Sequence, residues 1–220
     1  MCVNYTPSRR DALEKHFAVN TDSLPEWKPE VWQDYAAPII KPDHAGQREV
    51  VLAGFGLIAK SEFPAGRKPF STMNARAETI AALPSFARHW QRGQRCLVPM
   101  QYFCEPNYES GRAQRWKIAM ASGEDFAVAG LYRSRRTPEG EVVHSFTQIT
   151  VNADQHPLMS RFHPPADEKR SLVVISAKDY DAWLHHTDLQ FATALLQLPG
   201  ANWLQAEPVD NTPEPQLSLF

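Results

Sequence analysis

From Arg95 onwards the chain alternates apolar residues with polar or small ones, which is the period of half-buried strands. Residues 116–120 and 126–130 both follow this period, and Thr137–Gly140 has the composition of a turn between strands. The pattern predicts strands at these segments and at three more apolar stretches, which are Glu49–Leu57, Val142–Val151 and Ser171–Ser176.

Four other segments repeat their apolar residues at helical spacing. Leu13 and Phe17 lie four residues apart, after a Ser8 and Asp11 pair that resembles a capping box. Pro84 suits a first helical position and Gly93 a helix stop. The predicted helices are Asp11–Val19, Pro84 to Gly93, Lys178–His185 and Asp188–Leu198, with Trp183, Phe191 and Leu195 facing inward.

A first helix, many strands with one short helix among them, and two later helices, in that order, predict an α+β fold. We expect a single domain with a curved, largely antiparallel, barrel-like β-sheet flanked by helices. It would occupy residues 1–208, and residues 209–220 would form a flexible tail. The segment before Pro42 and Ser61–Thr72 are predicted loops, the second leading into Met73–Arg76.

The composition is that of a globular protein, with 220 residues, 43% hydrophobic and 22% charged. The three cysteines, Cys2, Cys96 and Cys104, form no CxxC pair, which argues against a disulfide framework and a closed zinc site. The longest apolar run, Val50–Ala59, is too short to cross a bilayer. We expect a monomeric cytoplasmic protein, associated with the nucleoid when bound to DNA, without metal or cofactor.

Charge is divided unevenly along the chain. The net charge is −2, yet Lys60 to Arg136 carries 13 Lys and Arg against 6 Asp and Glu. Contacts with a phosphate backbone depend on local charge, so this segment can form a nucleic-acid-binding face on an acidic protein.

Cys2 follows Met1 directly, and removal of Met1 would leave a cysteine with a free α-amine. The reference pKa is about 8 for such an amine and about 8.5 for the thiol, so both groups are partly nucleophilic near neutral pH. A 1,2-aminothiol condenses with an aldehyde through nitrogen and then closes a five-membered thiazolidine through sulfur.

Four further segments accompany Cys2 in a recognisable order. The first is 73–79, which contains Asn74 and Arg76, and the second is 95–105, which begins Arg95-Cys96-Leu97-Val98-Pro99 and ends at Glu105. The third is 126–132, which contains Ala129-Gly130-Leu131, and the fourth is 147–163. Over about residues 1–176 the chain resembles the SOS-response-associated peptidase family, whose members shield abasic sites in single-stranded DNA by crosslinking to them.

The resemblance implies a role for several residues. Cys2 would form the crosslink at the aldehyde C1′ and Asn74 would hold the N-terminal residue and the sugar. Glu105 would move protons during ring closure and help to release Met1, and His163 would act as general acid and base on the opened sugar. The implied DNA-binding residues are Arg76, Thr150 and Arg161.

The chain departs from the family pattern in several places. The family's usual Met-Cys-Gly-Arg-Phe start is Met-Cys-Val-Asn-Tyr here, so Asn4 replaces an arginine. Pro106 follows Glu105 where tryptophan is common. The family's wedge tryptophans are absent, and the nearby aromatic residues are Phe55, Phe63 and Phe70.

The loop after His163 is longer than in the family pattern, which leaves His156 as a competing candidate for the catalytic histidine. We favour His163 because residues 158–162 lead directly into it.

The chain ends in Gln216-Leu217-Ser218-Leu219-Phe220. This resembles the short peptide with which bacterial replication and repair proteins dock on the sliding clamp. It predicts clamp binding through Gln216, Leu217, Leu219 and Phe220, since apolar anchors on a short segment suit such docking. Two other interpretations remain: an N-terminal-nucleophile peptidase, and a non-catalytic module that binds single-stranded DNA or the clamp.

Overall fold

The computed structural model of the protein describes residues 2–66 and 68–209. The helices in this part are α1 (Arg10–Phe17), α2 (Pro84–Gln91), α3 (Tyr180–His185) and α4 (Leu189–Ala194). The strands are β1 (Asn4–Pro7), β2 (Ala36–Pro42), β3 (Arg48–Phe55), β4 (Asn74–Arg76), β5 (Arg95–Asn107), β6 (Gln114–Met120), β7 (Phe126–Arg136), β8 (Val142–Asn152), β9 (Arg170–Leu172), β10 (Val174–Ile175) and β11 (Leu204–Pro208).

Five strands close into a barrel. They pair in the cyclic order β7, β8, β3, β2 and β5, and β5 pairs back onto β7. The pairing of β3 with β8 is parallel, and the other four are antiparallel. The remaining strands extend the sheet: β1 and β6 on β5, β11 on β6, β4 and β9 on β8, and β10 on β7. The predicted single α+β domain with a largely antiparallel, barrel-like sheet is confirmed.

Alternate residues of the barrel strands face two separate cores, as the period of two requires. One core contains Leu97 and Ile149 together with Phe17, Trp90 and Trp183 from the helices, so it covers the outer face. The other core fills the interior and includes Cys2, Tyr5, Phe55, Phe103 and Phe146. Phe55 stacks on Phe146, with their ring centroids 5.2 Å apart. Cys2 is therefore part of the barrel interior.

Helix α1 has the predicted buried residues Leu13 and Phe17, but the predicted capping box is wrong. The N-cap is Arg9, without a side-chain cap, because the helix begins at Arg10 and Ser8 therefore lies one position before the N-cap. Helix α4 is shorter than predicted and leaves Phe191 exposed. There its ring stacks on His186, with the ring centroids 4.0 Å apart.

One loop prediction is wrong, and strands that the pattern did not predict occur elsewhere. The segment before Pro42 contains strand β2, and residues 74–76 form strand β4, paired in parallel with β8. The chain after residue 198, where no strand was predicted, adds β11 to β6. Proline and polar residues hide β2 and β11 in the pattern, because long-range pairing stabilises a strand that local propensity does not favour.

None of the helices in residues 2–66 and 68–209 has the length and apolar character needed to span a bilayer.

Candidate active site at the mouth of the barrel

Strand pairing brings Asn74 to Cys2. The parallel pairing of β4 with β8 fixes the backbone at Asn74, opposite Gln148. The Asn74 side-chain Nδ2 then donates a hydrogen bond of 2.7 Å to the carbonyl oxygen of Cys2. An amide NH₂ group on a carbonyl holds the backbone of Cys2 without adding charge.

The Cys2 thiol is fully buried just before β1, and it donates to the Asn4 carbonyl oxygen over 3.3 Å. Burial raises the pKa of this thiol well above its usual value, and the neighbouring Glu105 and Cys104 raise it further. The thiol is therefore protonated at neutral pH in this state, and it needs a base or a change of surroundings before sulfur can attack.

Glu105 lies on β5 with 3% of its surface exposed. The antiparallel pairing of β1 with β5 places Asn4 opposite Cys104, so Cys2 lies beside the next residues of β5. Burial raises the pKa of Glu105 to about 7. A carboxyl group with such a pKa can both give and take a proton near neutrality.

His163 joins Glu105 although the two residues are far apart in sequence. Phe162 forms an isolated bridge with Asn107, and the backbone N–H of His163 donates to the Pro106 carbonyl over 2.9 Å. This brings His163 Nδ1 to 3.5 Å from Glu105 Oε2. The backbone of His163 takes a φ of +67°, a left-handed conformation that turns the chain at this point.

The second ring nitrogen of His163 fixes the tautomer. Nε2 lies 3.3 Å from the carbonyl oxygen of Arg170, and a carbonyl can only accept, so Nε2 carries the hydrogen. Burial lowers the pKa of His163 to about 4. The neutral ring therefore directs the lone pair of Nδ1 towards Glu105.

His156 has a different environment. Its Nδ1 accepts from the backbone N–H groups of Leu158 and Met159, at 3.1 and 3.0 Å, and its Nε2 lies 3.1 Å from the Pro199 carbonyl. Both ring nitrogens are engaged by the backbone, so His156 organises its loop. The structure brings His163, and not His156, to Glu105.

The three predicted DNA-binding residues occupy distinct positions. Arg76 is exposed and pairs with Glu168 at 2.6 Å. Arg161 is held by both carboxylate oxygens of Glu109, at 2.9 and 2.8 Å. Thr150 is 1% exposed, so its hydroxyl does not reach the surface. Both arginines are thus paired with an acidic residue.

Sequence reasoning missed the part played by Arg170. Its guanidinium, 3% exposed, donates to both carboxylate oxygens of Glu78, to Glu168 and to the Thr150 carbonyl, at 2.7 to 3.0 Å. The same residue supplies the carbonyl that fixes the His163 ring. Arg170 thus ties the segment after Asn74 to the His163 loop. The Arg170-Ser171 pair in the lengthened loop was the only sequence signal.

Asn4, which replaces the family's arginine, is buried and donates to Glu30. Arg115 donates to the same carboxylate, so the guanidinium nearest to position 4 comes from β6. Among the aromatic candidates, Phe55 is fully buried and Phe70 is 54% exposed. Phe70 packs edge-on against Phe63, with the ring centroids 5.0 Å apart.

Within the described residues, no three His, Cys, Asp or Glu side chains are grouped as metal ligands. What the site contains instead is a cysteine next to an amide, a carboxyl group with a raised pKa and a neutral histidine. Such a set can hold a carbonyl compound and move protons. Residues Gln216 to Phe220 lie outside the described residues.

A family model described as SOS response associated peptidase (SRAP) matches residues 1–212. The chain belongs to this family. An abasic site processing protein of Bacillus subtilis, YoqW, is 30% identical over 156 residues, which is 66% of each chain. Another from the same organism, YobE, is 31% identical over 151 residues, 66% of this chain and 65% of the relative.

Solved structures share the fold of this SRAP chain. A protein from Bordetella bronchiseptica has a TM-score of 0.83 and 28% identity, with 95% of this chain and all of that chain covered. A protein from Bacteroides thetaiotaomicron has a TM-score of 0.75 at 20% identity, covering 96% and 93%.

Proposed function

We propose that this protein captures abasic sites in single-stranded DNA, forming a covalent thiazolidine at Cys2 after removal of Met1. The observation that carries the proposal is the hydrogen bond from Asn74 to the Cys2 carbonyl, beside the Glu105–His163 pair. The names of the Bacillus relatives, abasic site processing proteins, point to the same substrate.

The chemistry balances without a cofactor. Hydrolysis of the Met1–Cys2 peptide bond consumes one water and frees the Cys2 amine. That amine adds to C1′ of the opened sugar, a carbon–nitrogen bond forms, and the aldehyde oxygen leaves as water. The thiol then adds across the resulting imine, with sulfur bonding to C1′ and its proton passing to nitrogen.

Glu105 suits the dehydration step. Its raised pKa of about 7 keeps a useful fraction protonated near neutral pH, so it can protonate the departing oxygen. His163 is neutral, and its Nδ1 faces Glu105, so it can accept a proton from the reacting groups and pass it to the Glu105 carboxylate, which regenerates the carboxyl group. Asn74 would hold the Cys2 backbone while these protons move.

We assign DNA backbone contacts to Arg76 and Arg161, which lie at the surface. Each would exchange its acidic partner, Glu168 or Glu109, for a phosphate. Thr150, which is buried and hydrogen-bonded by Arg170, would act on DNA only through that arginine. The exposed Phe70 is the best placed of the three phenylalanines to stack on a base.

We further propose that the C-terminal Gln216-Leu217-Ser218-Leu219-Phe220 sequence binds the bacterial sliding clamp. This would concentrate the protein where single-stranded template is exposed. Deletion of residues 216–220 should abolish clamp binding in a pull-down while leaving the crosslinking rate unchanged, and retained binding would refute this part of the proposal.

The test of the main proposal uses a single-stranded oligonucleotide with one abasic site. A heat-stable shifted band on a denaturing gel is expected from the wild type and from Cys96→Ala, but not from Cys2→Ala. A tetrahydrofuran site, which has no aldehyde, should give no band. An equal band from Cys2→Ala would refute the mechanism.

The intact mass of the purified protein reports on Met1. Loss of Met1 in the wild type and its retention in Glu105→Gln would support self-processing. A wild-type protein that removes Met1 but forms no DNA band would favour the peptidase interpretation, and one that does neither would favour the binding module.

A further inference from the structure

Gln148 is a fully buried amide in the interior of the barrel, next to the site. It lies on β8 opposite Asn74 of β4, and neighbouring strand positions direct their side chains to the same face of a sheet. On the other side of Gln148, the paired residue is Gly130 of β7, which has no side chain. The Gln148 side chain therefore shares its face with Asn74, whose amide holds Cys2.

Both polar atoms of the Gln148 side chain are buried without a hydrogen-bond partner among the described residues. The same holds for Asn74 Oδ1, although Asn74 Nδ2 is bonded to Cys2. Buried polar groups in native proteins are nearly always paired, because they have given up their bonds to water. A leucine would fill the Gln148 position without that loss, so the amide points to a ligand.

The three unpaired atoms offer one NH₂ donor and two carbonyl-type acceptors. This set matches a hydroxyl group, which donates one hydrogen bond and accepts others. Opening of an abasic deoxyribose releases a hydroxyl at C4′, three carbon–carbon bonds from the aldehyde carbon. With C1′ at Cys2, whose carbonyl oxygen accepts from Asn74, we expect that hydroxyl to reach Asn74 and Gln148, which lie opposite each other on β4 and β8.

We infer that Gln148 is a further substrate-binding residue, whose amide, together with Asn74 Oδ1, binds a hydroxyl group of the ring-opened sugar. The inference rests on the proposed function and adds to it a reason for specificity. The site would select a hydroxylated aldehyde over a plain one.

The test compares wild type with Gln148→Leu and Gln148→Met, which keep the approximate size and remove the amide. Each is treated with the abasic oligonucleotide, with free 2-deoxyribose, and with propanal, which has no hydroxyl group. Thiazolidine formation at Cys2 is followed by intact mass, and thermal unfolding is measured in parallel.

We expect both variants to react about tenfold more slowly with the two sugar substrates, the effect of losing one or two hydrogen bonds. The rate with propanal should be unchanged. The melting temperature should rise by roughly 2–4 °C, because an unpaired amide has been replaced by an apolar group.

Each other result has a definite meaning. Equal sugar rates in wild type and variants would overturn the inference, and so would an equal loss with propanal, which indicates a structural role. If the wild type reacts with neither the oligonucleotide nor deoxyribose, the proposed function fails and the inference fails with it. If the wild type reacts and the variants match it, only the inference fails.

Discussion

His156 and His163 lie seven residues apart, and both are at least 95% buried. Both ring nitrogens of His156 are hydrogen-bonded to backbone groups. In His163, one ring nitrogen is hydrogen-bonded to the Arg170 carbonyl and the other faces the carboxyl group of Glu105. The first arrangement fixes a loop, and the second leaves a lone pair directed at a titratable group. Burial alone therefore does not distinguish a structural histidine from one that can move protons.

Replacement of His163 should have the largest effect. We expect His163→Gln to lower the crosslinking rate by about 100-fold, because it removes a group that shuttles protons. His156→Gln should keep a rate within about threefold of wild type at 25 °C, since both of its ring nitrogens are bonded to backbone groups. Single-turnover gels at saturating DNA measure both rates, and the reverse order would exchange the roles of the two histidines.

The pH profile tests the partner of His163. The raised pKa of Glu105 means that the carboxyl group is protonated below about pH 7 and loses its proton as the pH rises further. The Cys2 amine, with a reference pKa of about 8, is instead inactive at low pH. The crosslinking rate should therefore pass through a maximum near neutral pH.

Glu105→Gln, freed of Met1 beforehand with a methionine aminopeptidase, should lose most of the crosslinking rate, and its residual rate should increase with pH throughout. A wild-type profile that also rises steadily to pH 9 would show that Glu105 does not act as an acid in the limiting step.

The free energy of unfolding should rank the two histidine variants in the reverse order from the crosslinking rate. His156→Gln should lower the free energy of unfolding by about 1–3 kcal/mol, because up to three buried backbone groups lose their partner. His163→Gln should cost less, since the Nε2 of His163 bonds a single backbone carbonyl, that of Arg170. Urea unfolding at pH 7 compares the two variants. Equal losses would mean that His163 also organises its loop.

The smallest expected effect concerns the exposed arginines. Arg76→Ala should weaken binding to single-stranded DNA by a few fold and lower the dependence of log K on log salt by about 0.7, the value for one lost phosphate contact. Fluorescence anisotropy with a tetrahydrofuran oligonucleotide measures this without crosslinking. The control is Lys178→Ala, in the short 3₁₀ helix Ala177–Asp179, about 100 residues from β4 along the chain. An unchanged salt slope would remove Arg76 from the interface.

The sequence pattern predicted β3, β6 and β8 to within two residues at each end and the first part of β7, because apolar residues recur within these segments themselves. It could not predict β4 or β11, which are strands only because a distant partner, β8 or β6, hydrogen-bonds to them. The same limit applies to the site. Cys2, Asn74, Glu105 and His163 were named from a resemblance, whereas Arg170 and Gln148 depend on register and burial.

The central claim is that the freed Cys2 amine and thiol bond to the abasic sugar. It is tested most directly by peptide mass spectrometry of the protein after reaction with an abasic single-stranded oligonucleotide, nuclease digestion and proteolysis. We predict an adduct on the N-terminal peptide, lacking Met1, whose mass equals the sugar remnant less one water, and no adduct in Cys2→Ala. An adduct on another residue, or an equal adduct in Cys2→Ala, would contradict the account.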